Sequence, residues 1–434
     1  MNPMKTMPRV LTRAAVVAAL MLTGAAVAVA APTWVTVGDE AYSLLREAAP
    51  EARTLASRQV SVTVPERRGS STLVQGSEGV HAVEVDEAAL PLLSQAVHDK
   101  LRRCGGFVQH ASMAEALAVL HRLETGAAHA ERVPPTPSYA IDNVAQVNAL
   151  LPQMQASNIL STIQSLSDFQ NRRYNSSHGV AASTWLFNLW SQLGAGRRDV
   201  RVLQVTHAGW PQKSVSFEID GTTNSGQTIV IGAHLDSISS GNAETARAPG
   251  ADDDASGVAS MTEVIRVLMA NNYVPKRSLR FVAYAAEEVG LLGSQQVVAA
   301  YQGERKVVVG VMQLDMTAYK GSNTDLWIYT DFTNAAQNQF VADLAAAYLP
   351  LLSVGYDRCG YGCSDHASWH NRGYAASFPF ESSFSTDNPT IHTPNDTIAT
   401  FGGQANHALK FSQLALAFAV ELSGDDPPAL RAAR

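Results

Sequence analysis

Five short segments between residues 229 and 397 combine apolar runs with metal-binding side chains, and they constrain the fold more than any other feature. The segments are IVIGAHLD (Ile229 to Asp236), PGADDDASG (Pro249 to Gly257), FVAYAAEEVG (Phe281 to Gly290), VVVGVMQLDM (Val307 to Met316) and IHTPNDT (Ile391 to Thr397). Together they contain two histidines and several carboxylates, the nitrogen and oxygen ligands that suit a pair of zinc ions. The pattern predicts a metal-dependent hydrolase site at the ends of buried strands.

Strand-like and helical patterns alternate along the chain downstream of residue 136. Apolar runs of strand length are separated by amphipathic stretches such as Ser256 to Met269 and Asn334 to Tyr348, and a last helix is predicted near Gln404 to Glu421. That order is typical of an α/β protein with a mixed, mostly parallel sheet flanked by helices on both faces. We therefore predict a catalytic domain over residues 136–424 and a C-terminal tail over residues 425–434.

The N-terminus has the features of a secretory signal peptide over residues 1–30. Basic residues are followed by an uncharged run from Ala14 to Val37, which passes the small-residue triplet Ala28-Val29-Ala30. Cleavage is predicted before Ala31. The alternative is a membrane anchor, but the apolar stretch is rich in alanine and near the short end for spanning a bilayer. We predict a secreted protein without stable membrane association, exported through the periplasm if the source is Gram-negative.

A proline-rich segment from Glu131 to Ser138 separates two regions of different composition. It holds three prolines within four positions, which favours an extended, protease-accessible linker. The upstream region carries an alternating run from His81 to Val85 and a helical stretch from Ala88 to Leu101, but no group of metal ligands. We predict that residues 31–135 form a small α+β propeptide that assists folding or blocks the site until a processing protease removes it. A permanent accessory domain is the alternative.

Charge and cysteine content narrow the functional classes further. The formal net charge is −7 with an isoelectric point near 5.9, and no basic stripe supports binding to nucleic acid. Cys104 stands alone in the predicted propeptide, whereas Cys359 and Cys363 flank a Gly-Tyr-Gly triplet. In an exported protein this pair is predicted to form a disulfide, because a zinc site would need further thiols.

Three of the segments supply candidate residues for a metal site. His234 ends an apolar strand, and Asp236 can hold the tautomer of a metal-bound imidazole. The three aspartates from Asp252 to Asp254 precede a helix, where one carboxylate could bridge two cations. Glu287 and Glu288 follow another strand and point in different directions, so one can bind a metal while the other serves as a base. Taken singly, each feature is also explained by solvated strand ends and helix caps.

The remaining candidates are an aspartate after a strand and three histidines. Asp315 closes a further apolar strand, where a charge demands a partner, and His392 lies in a polar loop. His366 and His370 have a spacing that could place them on one helix face. Because no glutamate follows the first of them, the pair does not form the zincin motif, and we do not predict it as a ligand pair.

From about Asn143 to Leu422 the chain resembles the secreted bacterial leucyl aminopeptidases, which are co-catalytic dizinc exopeptidases with a phosphorylase/hydrolase-like α/β fold. The motifs that carry the resemblance are long and ordered: GAHLDS, APGADDDASG, AYAAEEVGLLGS, QLDM, CSDHASWHN, PFES and IHTPNDT. The resemblance implies a metalloprotease that binds two Zn2+ ions per chain and hydrolyses peptides that have a free N-terminus.

The resemblance also implies roles for the matching positions. The five implied ligands are His234 and Asp315 for one zinc ion, Glu288 and His392 for the other, and Asp253 as the bridge. Glu287 would be the general base that takes a proton from the attacking water and later gives it to the leaving amine. Asp236 would orient His234, and Tyr361 would hydrogen-bond the tetrahedral intermediate. The peptide bond between Asp253 and Asp254 is expected to be cis.

A pocket for the first substrate residue is implied as well. Its expected lining residues are Met316, Tyr329, Cys363, Phe380, Phe384 and Ile391. Because most of these are apolar, leucine, methionine and phenylalanine are the expected first residues. Asp387 departs from the family, which tends to have an aromatic residue there. If the carboxylate of Asp387 lay in the pocket, it would favour lysine or arginine. Turn chemistry instead favours an Asp387 that faces water. We therefore expect Asp387→Ala to change the ratio of kcat/KM for leucyl and lysyl anilide only slightly.

Other functions of the same fold remain as alternatives. A carboxypeptidase, an amidase or a single-zinc glutaminyl cyclase could share it, since a fold alone does not fix the reaction. The complete set of five ligands disfavours the cyclase. A non-catalytic binding module would have lost a ligand or Glu287, and all are present. We predict a monomeric enzyme whose partners are peptide substrates and a processing protease.

Overall fold

The computed structural model describes residues 32–66, 72–101, 106–110, 112–125 and 139–424, which form an N-terminal unit and a larger unit, the predicted catalytic unit, that contains all the predicted site residues. The predicted signal peptide, the proline-rich linker, Cys104 and the predicted C-terminal tail lie outside these residues. Within the described ranges, no helix is long and apolar enough to cross a membrane.

The N-terminal unit is an antiparallel sheet packed with helices. Its elements are β1 (Pro32–Gly38), α1 (Asp39–Ala48), β2 (Arg53–Pro65), β3 (Leu73–Asp86), a 3-10 turn (Glu87–Ala89), α2 (Leu90–Leu101), β4 (Phe107–His110) and α3 (Met113–Thr125). The strand order is β2-β3-β1-β4. Val35 and Val37 of β1 pack with Val83 of β3 against Leu45 and Leu93 of the helices. Apolar side chains at alternate strand positions thus give this unit its own core.

The catalytic unit is a larger sheet with helices on both faces. Its strands are β5 (Val200–Val205), β6 (Ser214–Ile219), β7 (Asn224–His234), β8 (Arg277–Tyr284), β9 (Val307–Gln313), β10 (Leu326–Tyr329), β11 (Val354–Asp357) and β12 (Ala376–Phe380). Its helices are α4 (Val144–Leu150), α5 (Ala156–Ser167), α6 (Ser177–Leu193), α7 (Ala255–Ala270), α8 (Leu292–Gly303), α9 (Ala335–Tyr348), α10 (His366–Asn371) and α11 (Asn406–Gly424), with 3-10 turns at Leu151–Gln153 and Ile398–Phe401.

The large sheet confirms the predicted mixed, mostly parallel α/β fold. Its strand order is β11-β10-β12-β9-β7-β8-β6-β5. The central strands β12, β9, β7 and β8 are all parallel, β6 and β5 add antiparallel strands at one edge, and β10 is antiparallel to β12. Connections through helices are what a parallel centre requires, because parallel neighbours cannot be joined by tight hairpins.

Helices cover the sheet on both sides. Helix α7 packs between α5, α11 and β7 and is buried along nearly its whole length, which fits a sequence that is mostly apolar. On the opposite face, Val297 and Val298 of α8 and Trp369 of α10 pack against Val230 and Val282 of the central strands. This packing fixes the loops at the carboxyl ends of the parallel strands.

The N-terminal unit lies against the loop that follows β8. The backbone N–H of Gln109 in β4 donates to the carbonyl of Gly290 (3.3 Å), and the Oγ of Ser94 donates to the carbonyl of Glu288 (3.5 Å). A Cβ at position 290 would lie 2.9 Å from the ring of Phe107, so glycine permits the close approach of the two units.

Apolar and charged side chains extend this contact. Val108 of β4 forms an apolar cluster with Leu291 and Ala367 of the catalytic unit. An ion pair joins Glu115 of α3 to Arg372 at 2.6 Å, and both side chains are about three-quarters buried. The N-terminal unit is therefore held by backbone, apolar and ionic contacts next to the carboxyl edge of the large sheet.

Candidate metal centre

Neighbouring parallel strands end at one edge of the large sheet, and each leads into a predicted ligand. His234 ends β7, Glu288 follows β8, and Asp315 follows β9. Because β7 pairs in parallel with both β8 and β9, the three carboxyl ends meet at this edge. Asp253, before α7, and His392, in the loop after β12, complete the set.

Asp253 lies between the two histidines and directs one carboxylate oxygen toward each. His234 Nε2 is 2.9 Å from Asp253 Oδ1, and His392 Nε2 is 3.1 Å from Asp253 Oδ2. Asp315 Oδ1 lies 3.4 Å from His234 Nε2, and Glu288 Oε2 lies 2.7 Å from His392 Nε2. The five predicted ligands thus come together as two sets that share Asp253.

Buried atoms that make no hydrogen bond show that the site fits cations. Within the described part of the chain, His234 Nε2, Asp315 Oδ1 and both carboxylate oxygens of Glu288 are buried and make no hydrogen bond of acceptable geometry, although other ligand atoms lie as close as 2.7 Å to Glu288 Oε2 and 2.9 Å to His234 Nε2. A buried carboxylate without a partner is costly, and a bound cation offsets that cost. Two imidazoles and three carboxylates are a donor set that suits zinc.

The pKa values of the ligands reflect the same crowding of negative charge. Burial raises the pKa of Glu288 to about 7, and the charge of Asp253 adds to the increase. Burial acts to lower the pKa of His392, but the carboxylates of Glu288 and Asp253 outweigh it and raise that pKa to about 10. Both pKa shifts reflect an excess of negative charge at the site, which a pair of bound cations would balance.

Asp254 stabilises the loops of the site through backbone contacts. Its two carboxylate oxygens accept three backbone N–H groups, at 2.8, 3.1 and 2.9 Å, the last from His234. His234, Asp254 and Asp315 also have ligand atoms within 4.8 Å of one another. A cation bound there would compete with these hydrogen bonds, so Asp253 is the better candidate ligand. The peptide bond between Asp253 and Asp254 is cis, as expected.

Asp236 contacts the ligand backbone more closely than it contacts the imidazole. Its Oδ1 accepts the N–H of Glu287 (3.0 Å) and its Oδ2 the N–H of Glu288 (3.3 Å). His234 Nδ1 lies 3.1 Å from the backbone carbonyl of Asp236 but 3.6 Å from its carboxylate. The carbonyl can therefore hold the tautomer of His234, while the carboxylate positions the two glutamates.

Glu287 is placed to accept a proton. It is buried, and within the described residues its Oε2 has no hydrogen-bond partner. Burial raises the pKa of Glu287 well above its usual value, and the charges of Asp315 and Asp365 act in the same direction. A carboxylate with a raised pKa is a more effective base near neutral pH.

Left-handed backbone conformations occur at three non-glycine residues of the site. Ala286 has a φ of 56°, Met316 of 58° and His392 of 56°. Such a conformation costs roughly 1–3 kcal/mol per residue and persists where the surrounding structure enforces it. Ala286 precedes Glu287, Met316 follows Asp315, and His392 is itself a predicted ligand. The strain therefore lies in the turns that orient these side chains.

A disulfide joins Cys359 and Cys363, as predicted, and closes a short loop that carries Tyr361. The carboxylate of Asp331 accepts the backbone N–H groups of Cys359 (3.2 Å) and Gly360 (2.6 Å). Burial raises the pKa of Asp331 to about 6. Sequence reasoning did not identify Asp331, which fixes the loop across a long separation in sequence.

Two further residues that sequence reasoning missed contact the ligands or their backbone. Ser364 Oγ donates to Oδ2 of Asp315 at 2.5 Å. The carboxylate of Asp396 accepts the N–H groups of Asp252 (3.2 Å) and Asp253 (3.1 Å). Both residues lie inside the CSDHASWHN and IHTPNDT motifs, so their position in those motifs was the signal that could have identified them.

Arg172 is a buried cation near the acidic loops. Its Nε donates to the carbonyl of Leu235 (2.8 Å) and its Nη2 to the carbonyl of Gly250 (2.9 Å). Burial lowers the pKa of Arg172, and the negative charges of Asp254 and Asp396 oppose that shift. Its partners are far away in sequence, and no local pattern indicated this role.

An apolar cavity lies next to the proposed ligands. Its lining residues are Asp315, Met316, Tyr329, Cys359, Tyr361, Cys363, Phe378, Phe380, Phe384 and Asp387. Five of the six expected pocket residues line it, and the sixth, Ile391, is buried in the same apolar cluster. Asp387, which turn chemistry predicts to face water, is half-buried and lines the cavity.

His366 and His370 lie in α10 and belong to no group of potential metal ligands among the described residues. The ring of His366 stacks on Phe378 at 4.7 Å, and its Nε2 lies 3.3 Å from the carbonyl of Asp331. Burial lowers the pKa of His366 to about 3 and that of His370 to about 4. Both are neutral histidines of the protein interior.

Known proteins with similar sequences are peptidases. The sequence model of Peptidase family M28 matches residues 214–417. Leucine aminopeptidase 1 of Coccidioides posadasii is 34% identical over 297 residues, which cover 65% of this chain and 75% of that protein. Leucine aminopeptidase 1 of Aspergillus fumigatus is 34% identical over 308 residues, which cover 67% of this chain and 76% of that protein.

Solved structures with the same architecture come from Legionella pneumophila. LapB aligns with a TM-score of 0.73 and 31% identity, over 91% of this chain and 100% of that chain. The LapA aminopeptidase aligns with a TM-score of 0.72 and 30% identity, over 92% of this chain and 100% of that chain. Both alignments extend beyond the catalytic unit alone.

Replacement of Asp331 by alanine is expected to lower the free energy of unfolding by about 1–3 kcal/mol, because two backbone N–H groups lose a buried acceptor. Urea denaturation followed by far-ultraviolet circular dichroism measures the change. Asp343→Ala, on the exposed side of α9, is the matched control. A loss no larger than that of the control would contradict the assigned role of Asp331.

Proposed function

The chain belongs to peptidase family M28 and is a metallo-aminopeptidase, and we propose that it removes the first residue of peptides with the help of two zinc ions. The observation that carries the proposal is the position of Asp253, which directs one oxygen toward each of two histidines. Each set of ligands then has a histidine, a carboxylate of its own and a share of Asp253. Two cations can bind both sets of ligands, whereas a single cation would leave one set without a metal.

The ligands divide between the two ions by their distances. His234 and Asp315 would hold one ion, Glu288 and His392 the other, and Asp253 both. When bound, the ions supply Lewis-acid catalysis, acidifying the attacking water and stabilising negative charge on the carbonyl oxygen. The protein holds the ligand atoms in place through the backbone contacts of the surrounding loops.

Glu287 supplies the proton transfers of the proposed reaction. Its carboxylate takes a proton from the attacking water and delivers it to the amine that leaves when the C–N bond breaks. Its burial and the Oε2 that makes no hydrogen bond within the described residues support this role. Tyr361 lines the same cavity as Asp315, where its hydroxyl can donate to the oxygen of the tetrahedral intermediate.

The proposed substrates have a free N-terminus and a large apolar first residue. A free terminus pairs with carboxylates when it is protonated and can bind a metal cation through its lone pair when it is not, whereas the amide nitrogen of an acylated terminus does neither. Met316, Phe380 and Phe384 form apolar walls of the cavity. Burial of a leucine side chain contributes about 1.5–3 kcal/mol, so leucine, methionine and phenylalanine are proposed as first residues.

Residues 31–135 are assigned here as a propeptide that keeps the protein a zymogen or assists its folding. The contacts of this unit with the loop of Glu288 support the assignment. A cavity of about 400 Å³ is lined jointly by Glu78 of the N-terminal unit and by Tyr361 and Phe384 of the catalytic unit. A unit placed there restricts the access of a peptide to the proposed pocket.

Contacts at the start of the catalytic unit limit where the propeptide can be cut. Tyr139 stacks on Phe340 with ring centroids 5.0 Å apart. The N–H groups of Asp142 and Asn143 donate to the carboxylate of Glu421 at 3.0 and 2.9 Å. A cut in the proline-rich linker leaves all of these contacts intact, whereas a cut further downstream removes some of them.

We also propose that the protein is exported and that it acts as a monomer. Residues 1–30 have the pattern of a cleaved signal peptide, and a disulfide is stable in the oxidising compartments that exported proteins reach. The mature protein would then act on extracellular peptides after a processing protease has removed residues 31–135.

Removal of metal is expected to abolish activity, and about two zinc ions per chain are expected to restore it, because the ligands form two sets. Hydrolysis of leucyl anilide and elemental analysis of the same sample provide the measurement. N-acetyl-leucyl anilide is the control. It is expected to be resistant, because an aminopeptidase needs a free N-terminus, whereas an amidase would cleave it. Full activity with one tightly bound ion per chain would contradict the two-zinc assignment.

Glu287→Ala is expected to lower kcat by a factor on the order of 10²–10⁴ while both metals stay bound, because Glu287 acts as a base and not as a ligand. Glu288→Ala is the matched variant and is expected to lose metal. Kinetics and metal content measured on the same preparations separate the two roles. Equal loss of metal from both variants would show that the roles of the two glutamates are wrongly assigned.

Secreted, active protein is expected to begin between residues 132 and 139, because a cut in the linker preserves the contacts of Tyr139 and of residues that follow it. N-terminal sequencing of the purified protein identifies the cut, and a variant with an uncleavable linker is expected to be less active. Fully active protein that begins at Ala31 would contradict the propeptide assignment.

A further inference from the structure

An edge strand of the N-terminal unit lies in a groove of the catalytic unit. Among the described strands, β4 stands at the end of the order β2-β3-β1-β4 and pairs with β1 alone. On its other side the strand meets four residues of the catalytic unit, which together form the β4 groove: Gly290, Leu291, Gly362 and Ala367. An extended segment is therefore already seated beside the proposed site.

A backbone hydrogen bond fixes β4 in the groove. The N–H of Gln109 donates to the carbonyl of Gly290 at 3.3 Å, so it is directed away from β1. The same carbonyl accepts the Nε2 of Gln295 at 2.8 Å, which holds its orientation from within the catalytic unit. Any extended peptide has a backbone N–H that could take the place of Gln109.

The side chain of Val108 fills the apolar part of the groove. It packs with Leu291 and Ala367, and Phe332 extends the cluster. A Cβ at Gly362 would lie 3.0 Å from Val108 Cγ2, so the disulfide loop approaches the strand closely. The groove thus accepts an apolar, β-branched side chain from an extended strand.

The β4 groove lies between two groups of the proposed reaction. On one side, the N–H groups of Gly290 and Leu291 donate to the carbonyl of Glu287 at 3.0 and 2.8 Å, so the turn that begins at the base also forms the groove. On the other side, Gly362 directly follows Tyr361. Because the leaving amine takes its proton from Glu287, the peptide attached to that amine begins beside this groove.

The direction of β4 matches that of a bound substrate. Leu101, before β4, lines a cavity together with Tyr361. Glu115, after β4, pairs with Arg372, which also donates to Oε1 of Gln302 at 3.0 Å. Gln302 lies near the end of the twelve-residue helix α8, about 18 Å from the start of that helix beside the groove. The strand therefore runs away from the proposed metal centre, as does a peptide whose first residue is bound there.

We propose that the β4 groove binds the part of the substrate that follows the scissile bond, and that β4 occupies it as a substrate-like strand until the N-terminal unit is removed. The preferred ligand is an extended peptide with an apolar residue at the position of Val108 and a free N–H on the next residue. The inference rests on the proposed function, because the groove opens only when the propeptide leaves an active aminopeptidase.

A valine scan of a glycine peptide tests the groove. Release of leucine is measured for leucyl-pentaglycinamide and for the same peptide with one valine at its second, third or fourth position, using zinc-loaded protein without residues 31–135. Valine at one of these positions is expected to raise kcat/KM about fivefold, as expected if roughly half of its side chain is buried. The gain is expected chiefly in KM, since the groove touches no reacting atom.

N-methylation of the substrate tests the hydrogen bond to Gly290 without any change in the protein. N-methylglycine directly after the favoured valine removes the N–H that corresponds to Gln109, and kcat/KM is expected to fall about fivefold. N-methylglycine one residue further along is the control. Its effect is expected to be smaller, because successive N–H groups of an extended chain point to opposite sides.

Leu291→Asn removes apolar surface from the groove, and asparagine tolerates the left-handed conformation of this residue, whose φ is 63°. The gain from valine is expected to fall below about twofold in this variant. Leu351→Asn, at a side chain that is 95% exposed, is the matched control and is expected to retain the gain. Protein with an uncleavable linker is expected to show no gain, because β4 still fills the groove.

The outcomes separate this inference from the proposed function. Release of leucine from the glycine peptide with no gain from valine at any position overturns the inference alone. A gain that Leu291→Asn or the uncleaved protein retains in full also overturns it. Zinc-loaded protein that releases leucine from no peptide of the series overturns the proposed function, and this inference with it.

Discussion

The burial of many carboxylates at one edge of the large sheet is the constraint on which the rest of the structure depends. The buried acidic residues there include Asp236, Asp252, Asp253, Asp254, Glu287, Glu288, Asp315, Asp365, Glu381 and Asp396. Each would be costly to bury without a partner. Backbone N–H groups, the guanidinium of Arg172 and the two proposed zinc ions supply the compensation. The fold must therefore bring donors from several distant segments to the same edge.

Carboxylates that are not proposed as ligands determine where the ligands lie. Asp236 accepts the N–H groups of both glutamates, Asp254 accepts that of His234, and Asp396 accepts that of Asp253. The backbone of the ligands is thereby fixed through hydrogen bonds with charged acceptors, which are stronger than neutral ones. The ligand side-chain atoms that make no hydrogen bond would then bind the proposed metal ions.

The disulfide loop links several parts of the proposed mechanism. It carries Tyr361, it leads into Ser364, which donates to Asp315, and it forms part of the wall of the apolar cavity. Arg358, just before the loop, lies 3.8 Å from Glu78 of the N-terminal unit. The proposed propeptide thus contacts the same short segment on which ligand geometry and substrate binding depend.

The sequence by itself determined the type of fold and predicted the ligands. An apolar strand that ends in a histidine or carboxylate is a local pattern, so His234, Asp315 and the pair Glu287 and Glu288 could be singled out as candidates without the structure, and the family resemblance selected Glu288 as the ligand. Helices α7 and α9 were also predicted to within a residue or two of their ends, because hydrophobic period and capping are local properties.

Only the tertiary structure decided the roles of Asp331 and Arg172 and the position of Asp387 beside the cavity. Asp331 and Arg172 bind backbone groups far away in sequence, and such contacts leave no local pattern. For Asp387, turn chemistry predicted exposure to water, but the residue is half-buried at the cavity, between Phe384, which is anchored by Asp357, and Asn388, which is anchored by Asp396. Local preferences among turn residues are small, and long-range hydrogen bonds that are buried outweigh them.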